Sequence, residues 1–234
     1  MQQQSHLHQE LDKLKLKVMN MFALSEEAMN RSIQSLLTRD EDLAQKVIDN
    51  DERINRLEVE IDDVCLKLMA REQPVARDLR FVIGCSRICV ELERIGDQAV
   101  NIAERAIMLS NRPPIPFNQP IQELADKTVE MYRMAVEAFT NRDVKGAVKV
   151  CQTDTQADEL YIKLIKNLID FLSTNTSMVE RPVHTIMISK CLERMADLCT
   201  NVAEVVVFIE RGVDIRHTCE MDQMKLISSP EPGA

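Results

Sequence analysis

Glu93, Asp97, Asn101 and Glu104 are the residues of the segment ELERIGDQAVNIAERA, Glu91 to Ala106, whose types and spacing could do chemistry. On a helix, at about 100° per residue, the four fall within roughly 80° of one another and form one stripe. Carboxylates four residues apart repel by a few tenths of a kcal/mol in water. Oxygen donors at that spacing also suit a hard or borderline cation, which one helix turn can hold between them. The stripe is therefore either a solvated face, with Arg94 as a partner, or a face that meets something positive.

The same register returns 100 residues later, where CVELERIGDQAVNIAE aligns with SKCLERMADLCTNVAE. Leu92, Glu93, Arg94, Asp97, Asn101, Ala103 and Glu104 recur as Leu192, Glu193, Arg194, Asp197, Asn201, Ala203 and Glu204. A second block repeats at an offset of 103, TRDEDLAQKVIDNDERINRLE against NRDVKGAVKVCQTDTQADELY. Within it Asp154 and Asp158 form another carboxylate pair at i, i+4, while Asp51 and Asn55 keep the spacing with an amide, and Glu58 and Asp62 continue the first-half series. A solvated face tolerates drift, whereas both blocks hold their residue types. If the segments carrying them are antiparallel neighbours, their stripes face one another and assemble an oxygen site.

Two matched blocks in one order at nearly one offset mean a tandem duplication of about a hundred residues. Each copy divides into three helices, at about residues 5–37, 41–70 and 76–111, then 121–140, 144–173 and 179–212. Asp40 and Asp143 stand at expected N-caps, and Gly212 at an expected helix end. The segment NRPPIPFNQP, Asn111 to Pro120, holds four prolines and breaks the chain between the copies. The expected organisation is all-α: a first three-helix repeat over 1–112, a Pro-rich linker over 113–120, a second repeat over 121–212 and an irregular tail over 213–234, the repeats forming two bundles related by pseudo-two-fold symmetry.

Composition agrees with that class. Five glycines, no tryptophan and 45% apolar residues favour packed helices over sheets. A net charge of -9 with dispersed basic residues argues against nucleic acid and against a polybasic membrane patch. No apolar run reaches the roughly 18 residues a membrane span needs, and the start MQQQSHLHQELDK lacks a signal-peptide layout, so a cytoplasmic protein is expected. Seven cysteines without a CxxC pair read as reduced core residues. His184 lies in an apolar stretch as a core or boundary residue; Asp214 and His217, at i, i+3 in the tail, are weak ligands. Neither a Gly-rich phosphate loop, nor HExxH, nor a nucleophile turn occurs, and no enzyme is expected.

With the duplicated LERxxDxxxN, the ARDLR that follows Gln73-Pro74 and the six-helix plan, the chain resembles the PhoU family over about residues 7–211. The resemblance implies two three-helix bundles with pseudo-two-fold symmetry in a cytoplasmic homodimer. It implies a negative regulator of phosphate homeostasis, acting with the Pst phosphate transporter ATPase and a PhoR-type sensor histidine kinase and reaching the membrane only through those partners. It further implies metal, iron or zinc foremost and magnesium or manganese next, on the ExxxD faces. Position by position, the metal candidates are Asp51, Asn55, Glu93, Asp97 and Asn101 in one half, and Asp154, Asp158, Glu193, Asp197 and Asn201 in the other. A metal-free helical scaffold is the alternative. A ferritin-like di-metal enzyme is disfavoured, since such sites need Glu-x-x-His on two helices and no histidine here has Glu three residues earlier.

Overall fold

A computed structural model describes residues 2–112, 117–175 and 179–215 of the chain. Among them lie six α-helices and no strand: α1 (Gln2–Thr38), α2 (Glu41–Glu72), α3 (Ala76–Ser110), α4 (Asn118–Asn141), α5 (Val144–Thr174) and α6 (Glu180–Arg211). The stops follow from local chemistry. Asp40 and Asp143 have extended backbones, and each accepts a 2.9 Å bond from a backbone N–H of the first turn it caps, Leu43 and Lys145 respectively. Gln73, left-handed at φ 46°, ends α2 before Pro74. Gly212 ends α6 at φ 70°, a conformation glycine adopts without steric cost.

One boundary differs from the sequence expectation. Helix α4 begins at Asn118, so Asn118, Gln119 and Pro120 belong to its first turn and not to the linker. Proline is tolerated there because first-turn N–H groups have no intrahelical acceptor to lose. Pro113 to Pro116, His217 and Cys219 lie outside the described residues.

Helices α1, α2 and α3 pack together in the first half, α4, α5 and α6 in the second, and the halves join along α3 and α6. The seam is tight because Gly84 lets α6 approach: a Cβ there would stand 2.4 Å from Ile209 Cγ1. Ile88, Leu92, Ile95, Ala99 and Ile102 of α3 are fully buried, as are Met195, Leu198 and Val207 of α6. Burial of this kind stabilises by about 1.5–3 kcal/mol per large side chain. Tyr132 of α4 crosses to α1, donating to the Phe22 carbonyl at 2.7 Å and lying 2.8 Å from the Ser25 hydroxyl. The six described cysteines are free and buried, as a reduced core role requires.

Candidate metal centre

Helices α2 and α3 bury their apolar faces against each other, which leaves the carboxylate stripes along the edge of the contact. Asp51 of α2 lies against α3 beside Gly96, where a Cβ would stand 3.4 Å from Asp51 Oδ1. That places it with Glu93 and Asp97. Partial burial raises the carboxyls of Glu93, Asp97 and Glu58 above their ordinary range, and mutual repulsion adds to it: Asp97, Glu58 and Asp51 act on Glu93, Asp51 acts on Asp97, and Asp62 with Asp97 acts on Glu58. Asn55 donates to Asp51 at 3.0 Å, and its own Oδ1 is buried without a hydrogen-bond donor. No ion pair reaches Asp51, Glu58, Glu93 or Asp97 among the described residues, since Arg94 turns to Glu91 at 3.4 Å.

The second half repeats the plan between α5 and α6. Asp154 is pushed up to about 6 by burial first, then by Asp158, Asp197, Glu193 and Glu204. Its Oδ1 is buried and receives no hydrogen bond. Asp158 and Asp197 are raised by burial first and by Glu193 next. This half carries cations of its own: Lys190 donates to both Glu193 oxygens, at 2.8 and 2.7 Å, and Arg194 stands 3.6 Å from Asp197. The Lys190 ammonium also lies 5.6 Å from the centre of the Tyr161 ring, and Tyr161 holds the register position of Glu58.

The structure thus brings eight of the sequence candidates near enough to act on one another, Asp51, Asn55, Glu93 and Asp97 along α2 and α3, then Asp154, Asp158, Glu193 and Asp197 along α5 and α6. The remaining two amides are engaged elsewhere. Asn101 donates to the Asp97 carbonyl of its own helix at 2.9 Å, and Asn201 donates across the seam to Glu91 of α3 at 3.0 Å. Glu204, which sequence reasoning did not assign to the site, is buried beside Asp154, whereas its counterpart Glu104 is exposed. The repeat alignment marks both glutamates, but only the packing of α6 separates them.

Among the described residues, no group of three or more His, Cys, Asp or Glu side chains is arranged to hold a metal ion as it stands. The donor chemistry nonetheless fits a cation. Each cluster contains a buried oxygen without a donor, and burial first, with mutual repulsion added, raises Glu93 and Asp97 in one and Asp154, Asp158 and Asp197 in the other. An oxygen-only donor set matches iron, manganese or magnesium better than zinc, which favours nitrogen and sulfur.

The PhoU domain family model matches residues 18–106 and 121–206, one match per half. The chain belongs to the PhoU family. It is 34% identical over 209 residues to the phosphate-specific transport system accessory protein PhoU homolog of Pseudomonas putida, covering 89% of this chain and 82% of that protein. Against the Escherichia coli K12 accessory protein PhoU, identity is 29% over 222 residues, 95% of this chain and 92% of the relative. The crystal structure of PhoU from Pseudomonas aeruginosa superposes with a TM-score of 0.86 at 32% identity, over 88% of this chain and 99% of that one. The all-α architecture of two PhoU repeats is the family's fold, and its named members are accessory proteins, not enzymes.

Proposed function

We propose that this chain is a non-enzymatic accessory protein of phosphate-specific transport, which restrains the phosphate-starvation response when phosphate is plentiful. Similarity over 89% of its length to an accessory protein of that transport system carries the reading. Its partners are the Pst transporter ATPase and a PhoR-type sensor kinase, met from the cytoplasmic side as a homodimer. No described helix is long and apolar enough to cross a membrane, so contact with the membrane passes through those partners. Two rigid bundles supply the docking surfaces, and differential affinity for partner states supplies the regulation.

On this reading a divalent or trivalent ion, iron or manganese by donor set, sits on each acidic cluster. Asp51, Glu93 and Asp97 hold it in the first half with the Asn55 carbonyl oxygen, and Asp154, Asp158, Glu193 and Asp197 hold it in the second. The ion would neutralise the stripes and satisfy the orphaned oxygens. The metal-free scaffold draws support from the second half, where Lys190 and Arg194 already offset Glu193 and Asp197. Elemental analysis of protein purified without chelator decides between them, and a pull-down against the transporter ATPase and the sensor kinase tests the regulatory assignment. Two equivalents of metal are expected; none, with stability unmoved by added cations, leaves the scaffold.

A further inference from the structure

The α3 and α6 seam has a cavity at each end. One, of about 240 Å³, joins the starts of α1 and α3 to the ends of α4 and α6; Lys15, Arg77, Phe81, Arg142, Ile209 and Glu210 line it, and Asp12 and Asp78 add two acids. The other, of about 180 Å³, joins the ends of α1 and α3 to the starts of α4 and α6; Leu36, Arg39, Leu109, Ser110, Asn118 and Arg181 line it. The repeat registers relate them: Arg39 corresponds to Arg142, Leu109 to Ile209, Ser110 to Glu210 and Asn118 to Lys15. Both turn arginines adopt a left-handed backbone, φ 60° at Arg39 and 55° at Arg142, which disfavours any residue with a Cβ. Arginine is nonetheless present in both copies.

The duplication supplies an internal control. At the larger cavity the Glu210 carboxylate receives Arg77 and stands 3.8 Å from the Arg142 guanidinium, so the chain fills that position with its own oxyanion. At the smaller cavity the equivalent position is Ser110, too short to reach. Its hydroxyl donates to Glu41 and to the Ile107 carbonyl, and Asn111 also donates to Glu41. Arg39 turns to the backbone carbonyl of Arg112, whose own guanidinium lies 3.1 Å from Glu180. Among the described residues no carboxylate lines this cavity, and Arg181 is a further lining residue. Helices α4 and α6 both start here without a side-chain cap; Glu180 already supplies negative charge to the first turn of α6, whereas that of α4, which favours negative charge, has no acidic residue. Ile121 and Ile188 complete an apolar floor.

We infer that the smaller cavity binds a small exogenous oxyanion of phosphate or carboxylate type, held by Arg39 in the place the Glu210 carboxylate takes at the other end. Arginine guanidinium recognises both groups by paired N–H donors. Isothermal titration at constant ionic strength, with inorganic phosphate and acetate as probes, tests this on the full chain. One saturable equivalent is expected for wild type with at least one probe, and which probe binds identifies the oxyanion. Ser110→Glu rebuilds the internal carboxylate and removes that binding. Arg39→Gln weakens it by about tenfold or more, the loss of a charge-assisted bond. Glu210→Ser empties the opposite end and adds a second equivalent. The assignment is overturned by wild type that saturates with neither probe, by folded Ser110→Glu that binds as wild type does, or by folded Glu210→Ser that gains nothing.

Discussion

Replacing Asp154 by Asn separates the cost of the acidic cluster from its use. In the folded protein the Asp154 carboxyl titrates near 6 in place of the ordinary 3.8. Below about pH 3.8 folded and unfolded chains are both protonated there, and the group contributes nothing differential. Between about 4 and 6 the folded state holds a proton that the unfolded state has released, so stability falls as pH rises. Above 6 the full penalty stands, about 3 kcal/mol from the displacement alone at 1.36 kcal/mol per unit of pKa. Asp154 keeps partial access to solvent, and screening reduces this to about 1–2 kcal/mol. Asp154→Asn, in protein stripped by chelator, is therefore expected to melt about 2–8 °C above wild type at pH 7.5, at roughly 2–4 °C per kcal/mol for a chain of this size. The advantage shrinks toward pH 4. Thermal denaturation followed by circular dichroism across that range is the assay. Saturating a cation site stabilises wild type by about 2.7 kcal/mol at a hundredfold excess over Kd, and the variant gains less. A chelated Asp154→Asn protein that melts at or below wild type at pH 7.5, with the same slope against pH, refutes the reasoning.

The double variant Asp97→Asn with Asp197→Asn is expected to lower the metal content of both halves, read by elemental analysis; unchanged content would make the stripes ordinary solvated faces. Gly84→Val drives side-chain atoms into Ile209 at the α3–α6 seam and is expected to cost about 3 kcal/mol, the upper part of the usual overpacking range, as a lower urea midpoint. Tyr132→Phe removes the hydroxyl that contacts Phe22 and Ser25 across the halves; a loss of about 1 kcal/mol is expected in the same measurement. Asp143→Ala removes the cap at Lys145 N and is expected to cost about 1 kcal/mol, with the deficit shared by Asp40→Ala at the equivalent turn.

Sequence by itself determined the parts of this protein that local chemistry controls. The caps at Asp40 and Asp143, the breaks at Gln73-Pro74 and Gly212 and the duplicated register were legible because each depends on a few neighbouring residues or on self-similarity. The proline-rich join was legible too, although its end was misplaced by three residues, since proline forbids a helix interior but not a first turn. The stripe residues were legible as a helical face, because angle follows from spacing. Which residues the stripes would meet stayed conditional in the sequence, because it depends on how α2 packs on α3 and α5 on α6. Tertiary structure alone decided which of two register-equivalent residues is buried. Glu204 faces Asp154 while Glu104 meets solvent, and Asn201 reaches Glu91 while Asn101 bonds its own helix. Those differences arise where other helices cover α6, α5 beside Glu204 and α3 beside Asn201, and no periodicity within one helix encodes the depth at which another helix covers it.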